Sequence, residues 1–307
     1  MIAGRDWRRR RLAGWGVAAA VLAGPGFGAA QPPTAPSEPA AATPVAEGLT
    51  AQPCAAGSSG RSDVELAFAR ASVADGPIDP AVLKPFAEGA AERARAEALR
   101  RRTDWPDLCR YRAQNQALEA AGGARVVFLG DSITELWQAA DPALFTAGVV
   151  DRGVSGQTSG QALLRFYDDV VALHPKVVHL LIGTNDIAGN NGPSRPEDLQ
   201  NNIRAMVELA RANNIQIVLA SITPAAAFSW RPAVRPAGPI AAMNRWLSGL
   251  AAREGLIYVD YASVLAGPDG GMRDGLSRDG VHPLIRGYAL MKPLALEAIA
   301  KALRAAR

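Results

Sequence analysis

From Arg125 onward the hydrophobic positions alternate between two rhythms. Short runs rich in β-branched residues, at Val126-Val127-Phe128-Leu129, Gly148-Val149-Val150, 177–182, 215–220 and 256–259, predict five strands. Between them, residues 158–173, 196–213 and 239–254 have the length and apolar spacing of amphipathic helices. Residues 286–304 supply a last helix, in which Pro293 is expected to introduce a kink. Strands and helices that alternate in this way imply an α/β fold, with a parallel sheet covered on both faces. In such sheets the working residues collect on loops at the carboxyl ends of the strands.

The region before Arg125 reads differently. Residues 31–60 are rich in Pro, Ala, Ser, Thr and Gly with almost no charge, the composition of a flexible linker. Helical signals follow: Asp79-Pro80 opens one helix reaching about Arg102, and Asp104-Trp105-Pro106 starts a second ending near Gly122. The arginines from Arg93 to Arg102 are interspersed with Glu97 and read as a solvated helix face. Four segments result: a leader over 1–30, a linker over 31–60, a helical N-terminal extension over 61–122 and an α/β domain over 123–307.

Charge belongs mainly to the leader. The net charge of +4 suggests an affinity for phosphate backbones, but Arg5, Arg8, Arg9, Arg10 and Arg11 all lie in the first eleven residues, against Asp6 alone. Without residues 1–30, Lys+Arg falls from 33 to 28 and Asp+Glu from 29 to 28, which leaves the body near neutrality and removes the electrostatic case for nucleic acid. The basic start, the Ala/Val/Leu/Gly stretch after it and Gly28-Ala29-Ala30 have the three parts of an export signal, with cleavage expected before Gln31. Gly14, Gly16, Gly24 and Pro25 interrupt the apolar run, so no stable membrane span is expected after cleavage, and the mature chain is expected outside the cytoplasm, periplasmic or secreted. In that oxidising setting Cys54 and Cys109 form either one disulfide or two free thiols.

Two segments carry reactive chemistry. The first strand ends in Gly130-Asp131-Ser132-Ile133, which puts a hydroxyl at the strand's carboxyl edge where exposed N–H groups stabilise negative charge. Alone, that motif is equally good turn and N-cap chemistry. Asp279-Gly280-Val281-His282-Pro283 places a carboxylate and an imidazole three residues apart before the last helix. A carboxylate on one ring nitrogen fixes the tautomer a general base needs. Of three histidines, His179 lies inside an apolar strand and His174 in a helix-to-strand turn, so His282 is the base by elimination. Gly156, in Arg152-Gly153-Val154-Ser155-Gly156-Gln157, and Asn185, in Gly183-Thr184-Asn185-Asp186, are candidate oxyanion donors, although a plain loop glycine and an Asx turn explain them equally well in isolation. Ser155 is a rival nucleophile that lacks the surrounding Gly-x-Ser-x-Gly elbow.

In their order and spacing these four segments, over about 125–306, resemble the SGNH (GDSL) hydrolase family. The stretches around Val150-Asp151-Arg152-Gly153 and Thr184-Asn185-Asp186-Ile187-Ala188-Gly189 look most like its platelet-activating-factor acetylhydrolase-like and carbohydrate esterase branch. The resemblance implies a flavodoxin-like three-layer α/β/α sandwich on a five-stranded parallel sheet. It also implies Ser132 as nucleophile, His282 as base held by Asp279, and an oxyanion hole of Ser132 N–H, Gly156 N–H and the Asn185 amide. The expected activity is hydrolysis of short-chain esters, acetyl above all, on a small molecule or an O-acetylated glycan. No cofactor or metal is expected, since three scattered histidines and two distant cysteines give no ligand cluster. Trp230, in the aromatic and basic loop 224–239, is a candidate substrate-stacking residue. An O-acetyltransferase with the same triad and a non-catalytic glycan-binding module are the alternatives; a flavodoxin-like nucleotide binder lacks a phosphate loop.

Overall fold

A computed structural model describes Gly48, Pro53, Cys54 and residues 60–306 except 147. The expected leader and most of the expected linker lie outside the described residues. Among the described residues no helix is long and apolar enough to cross a membrane.

Four helices precede the sheet: α1 (Asp63–Val73), α2 (Pro80–Glu88), α3 (Ala90–Thr103) and α4 (Arg112–Ala120). The order then runs β1 (Val126–Gly130), α5 (Ser132–Ala140), β2 (Val149–Gly153), α6 (Ser159–Asp169), β3 (Val177–Leu181), α7 (Thr184–Ala188), α8 (Pro196–Ala212), β4 (Gln216–Ala220), α9 (Ala237–Glu254), β5 (Ile257–Val259), α10 (Ala262–Leu265) and α11 (Ile285–Ala305). The five strands form one sheet in the order β2-β1-β3-β4-β5, every pair parallel. This is the expected flavodoxin-like sandwich. β1 lies between β2 and β3, so the chain leaves its carboxyl end toward one side and returns on the other, opening a crevice there.

Strand alternation divides the core. Val127 and Leu129 of β1 join the layer of α6, α8 and α9, with Phe166, Met206 and Leu247. Val126 and Phe128 join the layer of α5 and α11, with Ile133, Trp137 and Met291. Sheets buried on both faces need such near-continuous apolar strands. The seat of α5 over β1 and β2 is tight: a Cβ on Gly153 would come within 2.2 Å of the Glu135 nitrogen, and one on Gly130 within 2.1 Å of the Thr134 hydroxyl oxygen. α11 runs through Pro293 without interruption.

The extension departs from expectation in three places. The single helix over 79–102 is two, divided at Gly89, which ends α2 and begins α3. The helix expected from Asp104 begins only at Arg112, because the Asp104 carboxylate takes the N–H groups of Leu108 and Cys109 at 2.8 and 2.9 Å and Asp107 adopts a positive φ of 60°. α1 is additional, and Ser62 starts it: Ser62 Oγ accepts the Glu65 N–H at 3.3 Å while Glu65 Oε2 accepts the Ser62 N–H at 2.9 Å. The arginine run is only partly a solvated face. Arg95, Arg101 and Arg102 are exposed, but the Arg93 guanidinium lies over the Phe86 ring at 3.8 Å and Arg100 pairs with buried Asp107 at 2.8 Å. A Cys54–Cys109 disulfide, 55 residues apart in sequence, ties the chain before α1 to the turn before α4.

His179 is fully buried in β3, stacked on Phe128 at 4.4 Å with Nε2 2.8 Å from the Tyr261 hydroxyl. Burial pushes its pKa down to about 3. An unfolded histidine titrates near about 6.5, so the unfolded chain binds the extra proton between the two values. This contribution to stability is therefore complete above about pH 6.5 and is lost as pH falls toward about 3. Urea unfolding of His179→Phe at several pH values should show a shallower fall in stability from about pH 6.5 downward than the parent chain. Parallel curves would show that His179 does not titrate with folding.

Candidate active site

Three strand ends and one distant loop assemble the site. Ser132 follows β1 as the first residue of α5, and Asp131 caps that helix, its Oδ1 accepting the Ile133 N–H at 2.9 Å. The hydroxyl thus sits at the end of a nine-residue helix whose first N–H groups have no intrahelical partner. Burial raises the Asp131 carboxyl to about 7, against the opposing pull of the Ile133 N–H and of His282.

The loop before α11, the helix that shares a core layer with α5, meets this serine. Ser132 Oγ lies 2.8 Å from His282 Nε2, and His282 Nδ1 lies 2.6 Å from Asp279 Oδ2. Asp279 Oδ1 accepts the N–H groups of Val281 and His282, each at 2.9 Å, and the Ser277 hydroxyl at 3.1 Å. Burial alone would raise the Asp279 carboxyl, but the hydrogen bond and charge of His282, with those two N–H groups, hold it well below the ordinary carboxylate range. An ionised Asp279 fixes the proton on Nδ1 and leaves Nε2 free to accept.

Gly156 and Asn185 approach from the β2 and β3 ends. Gly156 has a positive φ of 78° with nothing within 4 Å of a notional Cβ, so conformation rather than crowding calls for glycine there. The Asn185 amide nitrogen lies 3.0 Å from the Gln157 oxygen and 3.3 Å from Asp131 Oδ2. Its Oδ1 accepts from Asn190 at 2.7 Å, and Asn190 Oδ1 accepts the Trp230 indole N–H at 2.9 Å. Trp230 is 40% exposed and stacked on Phe228 at 5.0 Å.

All six sequence-predicted site residues, Ser132, Gly156, Asn185, Trp230, Asp279 and His282, line one cavity of about 620 Å³. Its remaining wall was not foreseen. Phe68, Ile78 and Phe86 of the extension line the same cavity as the serine, together with Leu136 of α5. Asn190 carried only a turn signal, in Gly189-Asn190-Asn191-Gly192.

Glu135 holds the wall to the site. It lies on α5 one turn after Ser132, with 8% of its side chain exposed. Its carboxylate pairs with Arg61 at 2.5 Å and Arg110 at 2.6 Å, and accepts the Ser155 N–H at 2.8 Å and the Ser155 hydroxyl at 2.5 Å. Burial would raise this carboxyl, but Arg61 and Arg110, with the two Ser155 bonds, outweigh it and keep it below its ordinary value. Ser155 is therefore committed to a carboxylate, not to a histidine. Among the described residues no group of three or more His, Cys, Asp or Glu is placed to hold a metal ion.

Residues 128–290 match the model of the GDSL-like lipase/acylhydrolase family, which is more than half of the chain. The chain belongs to this family. The acylhydrolase is also similar to two solved Bacteroides structures. An acylhydrolase from Bacteroides fragilis is 41% identical, with a TM-score of 0.63, covering 65% of this chain and 99% of its own. A GDSL-like lipase from Bacteroides thetaiotaomicron is 38% identical, with a TM-score of 0.62, covering 65% and 100%. A protein from Streptococcus pneumonia described as a platelet activating factor shares the fold, at 23% identity and a TM-score of 0.52, covering 68% and 99%. No curated protein matches the chain. About a third of this acylhydrolase has no counterpart in the two Bacteroides proteins, and the family match begins at residue 128, after the whole helical extension.

Removing the Glu135 carboxylate takes the shared counter-charge from two partly buried guanidiniums, Arg61 and Arg110. Glu135→Ala should cost about 3–5 kcal/mol in urea unfolding, the range for breaking one side of a buried ion pair. A loss below about 1 kcal/mol would show that the extension is not joined to the catalytic domain through this carboxylate.

Proposed function

We propose that this acylhydrolase splits short-acyl esters, acetyl esters above all, through an acyl-enzyme on Ser132. The supporting observation is the unbroken relay from Ser132 Oγ to His282 at 2.8 Å and from His282 to Asp279 at 2.6 Å. Ser132 Oγ attacks the ester carbonyl while its proton passes to His282 Nε2. Asp279 stabilises the imidazolium so formed. Charge on the carbonyl oxygen is met by the Ser132 and Gly156 N–H groups and by the Asn185 amide. One Asn185 amide hydrogen is committed to the Gln157 oxygen at 3.0 Å; the other, loosely held by Asp131 at 3.3 Å, is the one available to an oxyanion. His282 then protonates the leaving alcohol, and a water molecule repeats the sequence to release the acid.

Hydrolysis is favoured over transfer to a second alcohol by the acylhydrolase family match, and the part-exposed His282 and Asp279 side chains, at 26% and 40%, leave the base open to water. Trp230, 40% exposed and lining the cavity, is what supports a glycan ester as a second reading. Export remains a proposal. It rests on the leader sequence and on the Cys54–Cys109 disulfide, a bond that persists in oxidising compartments.

Purified protein should hydrolyse p-nitrophenyl acetate. Ser132→Ala and His282→Ala should each lower kcat by about 10⁴-fold or more, and Asp279→Asn by about 10³–10⁴-fold. Turnover in Ser132→Ala within tenfold of the parent would overturn the assignment.

A further inference from the structure

α1 lies between the two loops that carry the proposed chemistry. Just before its first turn, Arg61 pairs with Glu135 at 2.5 Å and donates to the Ser155 hydroxyl at 3.1 Å, next to Gly156. Beyond its last turn, the carbonyl oxygens of Ala74 and Gly76 accept from Arg278 at 2.8 and 2.7 Å. Arg278 adjoins Asp279 in the loop that presents His282. Asp75 in the same turn pairs with Arg286 of α11 at 2.9 Å. At 11 residues the helix is about 16 Å long, enough to reach from the oxyanion loop to the histidine loop.

One face of this strut is turned to the cavity. Glu65, Phe68, Ala69 and Ser72 all line it, at the i, i+3, i+4, i+7 spacing of a single helical stripe. α2 completes the wall: Phe86 stacks on Phe68 with ring centroids 3.7 Å apart, and Ile78 lies in the connecting turn. The Arg93 guanidinium lies over the Phe86 ring and fixes it in place. Phe68, Ile78, Phe86 and Leu136 are all only half-buried, so apolar surface faces the space in front of Ser132. Half-buried apolar surface lining a concave site is what an apolar ligand group covers.

We infer that α1, α2 and their connecting turn form a subsite for the leaving alcohol of the ester, and that this alcohol carries an apolar ring or branched hydrocarbon about the size of a phenyl group. The inference rests on the proposed serine chemistry for its direction. His282 must deliver its proton to the leaving oxygen, so the alcohol departs on the side of the histidine loop. That is the loop to which Arg278 ties the α1–α2 turn. The extension lies outside the stretch that the family model matches.

The test compares kcat/KM for benzyl acetate, ethyl acetate, ethyl phenylacetate and an acetylated methyl xyloside, in the full chain and in Phe68→Ala and Ile78→Ala. Benzyl acetate should exceed ethyl acetate by about tenfold or more, and each variant should shrink that ratio by about five- to tenfold, the scale of losing hydrophobic pocket contacts. An unmoved ratio overturns the subsite. So does a ratio that moves only for ethyl phenylacetate, which places the ring on the acyl arm, or a preference for the acetylated xyloside. Failure of the serine chemistry is separate: it shows as no turnover of any of the four esters. In that event calorimetric binding of benzyl acetate to Ser132→Ala protein still decides the question. Adding Phe68→Ala in that background should weaken binding about tenfold; equal affinity overturns the inference.

Discussion

A buried carboxylate one helical turn beyond the proposed nucleophile joins the parts of this molecule. Glu135 is out of solvent and ionised, so it must keep compensating charge and hydrogen bonds. Arg61 and Arg110 supply the charge from the extension, and Ser155 supplies two hydrogen bonds from the loop after β2. The same group therefore holds α5, the Ser155-Gly156 loop and the helical wall in register. Gly153 permits this seat, because the strand it ends passes under the Glu135 backbone with no room for a side chain. The extension is thus wired into the catalytic domain, although the family match does not include it.

The remaining geometry follows from the parallel sheet. Three successive strand ends deliver Ser132, the Ser155-Gly156 loop and Asn185 to one edge, beside the crevice where the strand order reverses. The fourth part, the Asp279–His282 loop, comes from the end of the chain and crosses 150 residues of sequence to reach the serine. Long-range pieces of this kind need anchors. The loop has its own, through the Asp279 bonds to backbone N–H groups, and a borrowed one, through Arg278 on the α1–α2 turn.

Much of this was legible in residue pattern. β-branched runs marked all five strands to within a few residues, because strands buried on both faces are almost uniformly apolar. Ser132 and His282, which the fold brings within 2.8 Å, stood out in sequence because each sits in a short motif and histidine is rare in the chain. What pattern could not show depends on contacts distant in sequence. Glu135 reads as an ordinary polar position on a short helix, and only folding surrounds it with Arg61, Arg110 and Ser155. α1 had a local signal in the Ser62-x-x-Glu65 capping box, but it follows directly on a segment of linker composition. The break at Gly89 was readable as a glycine, yet the helical pattern on both sides hid it. At Asp104 the side chain captured turn amides that a helix would otherwise use.

Ser132, and no other hydroxyl, is proposed as the activated nucleophile. Labelling of the intact protein with a fluorophosphonate, followed by mass spectrometry of its peptides, tests that assignment. One adduct per chain is expected, on the peptide containing Ser132, and it should disappear in His282→Ala. An adduct on Ser155, or no adduct on a chain that still hydrolyses esters, would contradict it.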